Sequence, residues 1–303
     1  MIDMNLPRPE KISDCVLVTH AGCMDGSGCA IMFLRAGGLK ENIKYAAAGM
    51  VERFLKNNLE QLGDKFIIFA DIGLSQDRDS YIEMLTKRGN CVLLDHHKTC
   101  LHMTGLPWCR VDMNFCGTEL LRQYLGLEDK SSKALATLIQ DHDLWLRKDP
   151  NSEALATFSV FAGQDELVER FVNRDVSLGV FTELESQMMK IVASRRDKII
   201  DALLKKVIVK QLNWGNNNSV KMGYIISSEM NSSLLLDRAL EADKTLQVAC
   251  QLNLERGSAS LRSRSGYDVS ELAKYFGGGG HAAASGHRIS ESIIKGIVEE
   301  IHA

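Results

Sequence analysis

Residues 91–100 read CVLLDHHKTC. A short apolar run, cut off by polar residues, fits a strand buried on both faces. A strand built only for packing has no use for Asp95, His96 and His97 side by side at its end. In parallel α/β sheets, ligands bind outside the carboxyl ends of the strands. The one stretch therefore predicts both a sheet and a chemical site on its rim.

Similar runs surround it: CVLVTH (15–20), IKYAAA (43–48), KFIIFAD (65–71) and WCRVD (108–112). Helical patterns fall between them, as at 27–36, 77–88 and 116–125. Near-continuous apolar strands alternating with helices imply a parallel sheet covered on both faces. From about 131 to 205 the pattern turns helical. SSKALATLIQDHDLWLRK opens with a serine cap candidate, Ser131. The stretch 180–205 holds neither glycine nor proline and could run as one helix bridging two domains. The last hundred residues read strand, strand, helix, strand, strand, helix, glycine-rich loop and final helix, with a turn at WGNNNS (214–219). The expected fold class is α/β: a parallel-sheet N-terminal domain at 1–176, a helical linker at 177–205, and a smaller α/β C-terminal domain at 206–303.

A chain of 303 residues suits two such domains. With 45% hydrophobic and 25% charged residues it is globular. A net charge of -3 removes the broad basic field of a duplex-DNA binder, and leaves room for a small anion held by local cations. The eight cysteines, at 15, 23, 29, 91, 100, 109, 116 and 250, form no C-x-x-C pair. They argue against structural zinc and read as the reduced thiols of a cytosolic protein. No 18-residue apolar run predicts a membrane span, and MIDMNLPRPEK lacks a signal-peptide plan, so the expected location is cytoplasmic.

Other strand ends carry the same chemistry. His20 ends the first run, and THAGCMDGSG brings Asp25 five residues later. Asp71 ends the third run, and Asp141 lies in LIQDHDLW. Singly, each aspartate reads as a turn or cap residue and each histidine as a satisfied core or surface residue. Together they aim carboxylates and imidazoles at one crevice, where carboxylates would repel and some would protonate. A divalent cation resolves the conflict. The mixed donors suit Mn²⁺, with Mg²⁺, Co²⁺, Zn²⁺ or Fe²⁺ as alternatives, better than Ca²⁺. Two ions about 3.5–4 Å apart, bridged by one aspartate, would activate a water and hold phosphoryl oxygens. Asp143 and His142 read as groups orienting Asp141. Asp112 is equally a cap or an outer support. His102, His287 and His302 read as surface residues.

Near the C-terminus, SLRSRS sets Arg262 and Arg264 at alternate strand positions, hence on one face. Arginine grips phosphate with two prongs, although a charged exposed face explains the pattern too. In YFGGGGHAAASG (275–286), Gly278, Gly279 and Gly280 let backbone N–H groups converge on an anion, and His281 adds a donor. The plainer reading is a flexible loop. Tyr275 and Phe276 beside it could stack a base or belong to the core.

LLDHHKT, with upstream THAGCMDGSG and FADIGLS and downstream IQDHDLW, resembles the DHH phosphoesterases, named for the Asp95-His96-His97 triplet. The segment from SLRS to GGGGHAAASG resembles the substrate-binding domain that accompanies many members. The resemblance spans nearly the whole chain. It implies that His20 and Asp25 ligate one metal, that Asp71 bridges two, and that His96 and Asp141 ligate the second. It implies that His97 faces the substrate phosphate and that Asp95 orients the histidines. Arg262, Arg264 and the Gly278–Gly280 loop with His281 would hold the substrate's end. Two departures matter: many members carry H-x-x-x-D-x-D, whereas this chain has H-x-x-x-x-D-G-S, with one extra residue before Asp25 and Ser27 in place of the second aspartate. One ligand of the second metal is therefore absent or supplied elsewhere. The longer spacing resembles an exopolyphosphatase-like subgroup. The implied activity is that of a metal-dependent phosphodiesterase of the oligoribonuclease or nanoRNase kind. Its substrates would be short single-stranded oligonucleotides, linear dinucleotides or 3'-phosphoadenosine 5'-phosphate. An exopolyphosphatase or pyrophosphatase is the rival enzyme, and a catalytically weakened nucleotide-binding regulator the rival of another class. Exposed apolar surface on the first domain would allow a homodimer.

Overall fold

The computed structural model describes residues 6–47, 50–74, 79–215, 218–228, 232–264 and 266–289. The chain divides into two compact units, Met1–Val192 and Ala193–Ala303, each with its own sheet.

In the first unit, chain order runs β1 Val16–His20, α1 Met24–Arg35, β2 Ile43–Ala46, α2 Val51–Leu62, β3 Ile67–Ala70, α3 Asp79–Arg88, β4 Cys91–Asp95, β5 Cys109–Val111 and α4 Gly117–Leu125. The five strands form a wholly parallel sheet in the order β2-β1-β3-β4-β5. All five expected strands are there. Their apolar runs are continuous because both faces are buried. Leu17, Ile68, Ala70, Val92 and Leu94 pack on one face with residues of α1 and α4. Val16, Val18, Ile67, Phe69, Cys91 and Leu93 pack on the other with residues of α2 and α3. The period of two along each strand feeds both cores at once. Each fully buried side chain of this kind stabilises the unit by about 1.5–3 kcal/mol. Phe69→Ala would cost about 3–5 kcal/mol, because a cavity adds to the lost transfer energy.

The helices α5 Lys130–Asp143, α6 Pro150–Ala162, α7 Gln164–Val172 and α8 Glu183–Leu204 follow. The cap of α5 is Asp129, which accepts from the Ser132 N–H at 2.8 Å. Ser131, the expected cap, instead donates to the Arg174 carbonyl. The stretch free of glycine and proline does form one helix, α8, across the boundary of the two units.

The second unit holds β6 Ile208–Trp214, β7 Asn218–Ile226, α9 Ser232–Ala242, β8 Val248–Asn253, β9 Ser258–Ser263, α10 Val269–Tyr275, β10 Gly279–His281 and β11 Ala284–Arg288. Its sheet runs β10-β11-β9-β8-β7-β6, with only β7 and β8 parallel. The glycine-rich stretch, expected as a free loop, is largely an edge strand. Gly279 and Gly280 belong to β10, paired to β11, and Gly278 precedes them against the same hairpin. A Cβ at Gly278 would lie 2.1 Å from the Gly286 carbonyl oxygen, so close strand approach accounts for that glycine without a ligand. The final helix expected after residue 290 lies outside the described residues. Among the described residues no helix is long and apolar enough to cross a membrane.

Candidate metal centre

β1 has β2 on one side and β3 on the other, so the strand order reverses between β1 and β3. Ligand crevices form at such a reversal, outside the carboxyl ends of the strands. His20 is the last residue of β1, and Asp71 directly follows β3. Asp71 has a left-handed backbone, φ 58°, fixed by its N–H donating to the Leu94 carbonyl. A non-glycine residue there is strained, and such strain gathers at working sites.

The two Asp71 oxygens face different neighbours. Oδ2 lies 3.7 Å from His20 Nδ1 and accepts from Cys23 Sγ at 3.2 Å. Oδ1 lies 3.3 Å from His96 Nε2. His96 Nε2 is also 3.6 Å from Asp25 Oδ2 and 3.5 Å from Asp143 Oδ2. Beside them, Asp95 Oδ1 lies 2.7 Å from His97 Nδ1. Among the described residues three donor groups meet here: His20 and Cys23 with Asp71, His96 with Asp25 and Asp143, and Asp71 with Asp95, His96 and His97.

The electrostatics call for a cation. Burial, with repulsion from Asp71 and Asp143, pushes the Asp25 carboxyl up to about 8. Burial also works to raise Asp71, but the neighbouring His20 and His96 outweigh it and hold that carboxyl well below its ordinary value. Burial would lower the His96 imidazolium, yet Asp71, Asp143 and Asp25 carry it up to about 10. Against burial, Asp95 carries His97 up to about 9. Without metal, protons therefore do the neutralising. The donor spacings agree with a divalent ion, since ligands about 2.0–2.3 Å from a tetrahedral centre stand about 3.3–3.8 Å apart.

Two expectations are revised. Asp141 lies outside these donor groups. Its carboxylate accepts from the Lys148 N–H at 2.9 Å, the Asp149 N–H at 3.3 Å and the Ser152 hydroxyl at 2.6 Å, and so ties down the chain between α5 and α6. Two steps along a helix turn about 200°. Asp141 and Asp143 therefore point apart, and Asp143 is the one beside His96. Second, Asp25 stands with His96 and Asp143, not with His20. Its oxygens also accept the Gly117 and Thr118 N–H groups, at 2.7 Å each, at the start of α4. The Ser27 hydroxyl donates to the Cys23 carbonyl at 2.8 Å.

Other predicted residues keep to their own neighbourhoods. His142 lies beside Glu153 and Trp145. Asp112 pairs with Arg110 and accepts from the Asn114 N–H in a local turn, while Cys116 stands at the cap of α4. In the second unit, Arg262 donates to the Ser233 hydroxyl at 2.6 Å. Arg264 donates to Asp237 at 2.6 Å and Glu241 at 3.0 Å, so its charge is already matched by two carboxylates. Tyr275 is exposed and Phe276 stacks on His287. His281 lies in β10, and its side chain is outside the described residues.

Sequence reasoning missed Cys23 and Asp143 as donors. Cys23 carried a signal: it sits three residues past His20 on the loop that leads to Asp25. Asp143 carried one in the spacing of D-H-D, which offers opposite helix faces.

No family model matches the chain. In sequence it is 26% identical to Oligoribonuclease NrnB of Bacillus subtilis over a 302-residue alignment, covering 91% of this chain and 73% of that protein. It is 28% identical to Uncharacterized protein R106 of Acanthamoeba polyphaga mimivirus over 326 aligned positions, covering 97% and 72%. Among solved structures, the pGpG-specific phosphodiesterase PggH of Vibrio cholerae shares the fold, with a TM-score of 0.53 at 12% identity over 95% of this chain and 97% of that one. The chain is thus similar in sequence to a protein named as an oligoribonuclease, and it shares its fold with the Vibrio phosphodiesterase.

Proposed function

We propose that the protein is a divalent-metal-dependent phosphodiesterase that hydrolyses short single-stranded oligonucleotides or linear dinucleotides. The Asp71 carboxylate carries this reading. It stands between His20 and Cys23 on one side and His96, Asp25 and Asp143 on the other, as a two-ion site requires. The relative named as an oligoribonuclease favours short nucleic acid among phosphoryl substrates.

His20 and Asp71 would hold one ion; Asp71, His96, Asp143 and Asp25 would hold the other. The second set offers only oxygen and imidazole, donors that fit Mn²⁺. When bound, the ions supply Lewis acidity, which lowers the pKa of a water and draws charge from phosphoryl oxygens. The chain's own groups do the positioning. The α4 N–H groups fix Asp25. Asp95 holds His97 at Nδ1 and favours its protonated form. His97 is then a cationic donor for a phosphoryl oxygen, and it gives the leaving oxygen a proton source. Arg262 is the second-unit arginine we assign to substrate phosphate; Arg264 braces α9 against β9.

The test is a turnover panel with Mn²⁺: dinucleotides, longer RNA and DNA, 3'-phosphoadenosine 5'-phosphate, pyrophosphate and polyphosphate. The proposal expects the dinucleotides and short RNA to turn over fastest. Preference for polyphosphate or pyrophosphate would move the assignment to that class. Binding of nucleotide without turnover under any divalent ion would make the protein a regulator.

A further inference from the structure

We propose that Cys23 is a thiolate ligand at the His20–Asp71 position, which therefore takes a thiophilic divalent ion such as Zn²⁺, Co²⁺ or Fe²⁺, while the other position remains suited to Mn²⁺. This rests on the two-ion reading above and sharpens it: the two positions differ in kind.

Cys23 is held where a ligand must be. It caps α1, its Sγ accepting the Gly26 N–H at 3.1 Å. The same sulfur lies 3.2 Å from Asp71 Oδ2, and His20 Nδ1 lies 3.7 Å from that oxygen. Sulfur, imidazole and carboxylate thus converge within 4.8 Å of one another. Gly26 allows this packing, since a Cβ there would lie 2.1 Å from the His20 carbonyl oxygen. Ser27 turns its hydroxyl to the helix backbone and does not compete with the Cys23 sulfur for this position. Cys23 is half-buried, unlike Cys15, Cys29 and Cys91 in the core. On binding, the thiol releases its proton to solvent and the sulfur lone pair forms the bond to the ion. Thiolate ligation favours softer ions over Mn²⁺ and Mg²⁺.

The test uses the metal-free full chain titrated with Co²⁺, read by absorption. Wild type should show a thiolate-to-cobalt charge-transfer band in the near ultraviolet with the visible cobalt bands. Cys23→Ser should lose the ultraviolet band and keep the visible bands of the other position. Serine still caps α1, so unfolding does not explain the loss. Co²⁺ should bind at least about tenfold more weakly at the altered position, given that even outer-shell losses reach that size. Cobalt bound without the ultraviolet band, or a band that survives in Cys23→Ser, would overturn the cysteine assignment and leave the two-ion site standing. No cobalt bound at all would overturn both.

Discussion

Asp71 Oδ1 and His96 Nε2 stand 3.3 Å apart, joining the ends of two neighbouring strands, β3 and β4. That contact couples a strained backbone at Asp71 to the second donor group, and the account turns on it.

Asp71→Asn tests the bridge with little disturbance to the fold. Asparagine tolerates the left-handed backbone nearly as well as aspartate but supplies a neutral amide. Turnover should fall at least about 100-fold, the upper end of the loss for an outer-shell partner. Thermal unfolding should show the metal-free variant folded but less stable than wild type, because the buried His96 imidazolium loses its nearest charge partner.

Asp143→Asn and Asp141→Asn should differ in kind. The first should weaken metal binding in an equilibrium titration and leave folding stability nearly unchanged. The second should leave the metal stoichiometry intact and cost about 1–3 kcal/mol in denaturant unfolding, because buried hydrogen bonds to Ser152 and the 148–149 backbone lose their charged acceptor.

Metal binding should release protons. In the metal-free protein Asp25 titrates at about 8 and His96 at about 10, and both must give up protons to become ligands. Apparent affinity should therefore climb as pH rises toward those values, by about tenfold per pH unit for each group displaced. Calorimetry in buffers of differing ionisation enthalpy reads the released protons directly. An affinity flat across neutral pH would contradict the donor assignment.

Acid stability should depend on Glu185, far from the metal donors. Hydrogen bonds from Arg174, the Thr182 N–H and Arg170 overcome burial and hold its carboxyl down at about 2, against an ordinary 4.5. A depressed carboxylate contributes stability that is present above 4.5 and lost as pH falls toward 2. At 1.36 kcal/mol per pH unit the contribution is about 3 kcal/mol. Glu185→Gln should be less stable at neutral pH and should show a shallower loss of stability between those two values.

The sheet was legible because burial on two faces leaves apolar runs, and their shortness and the helical patterns between them mark them as strands. His20, Asp71, Asp95, His96 and His97 were legible because they sit at the ends of those runs, where the strand itself fixes their direction. Asp141 was misread because helix phase, not strand direction, decides where it points, and D-H-D offers both faces. Cys23 was passed over because a thiol in an apolar context ordinarily packs; only the fold brings its sulfur to Asp71. The glycine run was read as an open loop because the pairing of β10 with β11 depends on distant chain.

The central claim is that Asp71 joins two ion positions. Metal content after equilibrium dialysis measures it most directly. Wild type should retain two divalent ions per chain, and Asp71→Asn should lose at least one. Full retention of both ions at unchanged affinity in Asp71→Asn, or no specific binding by the folded wild type, would contradict the account.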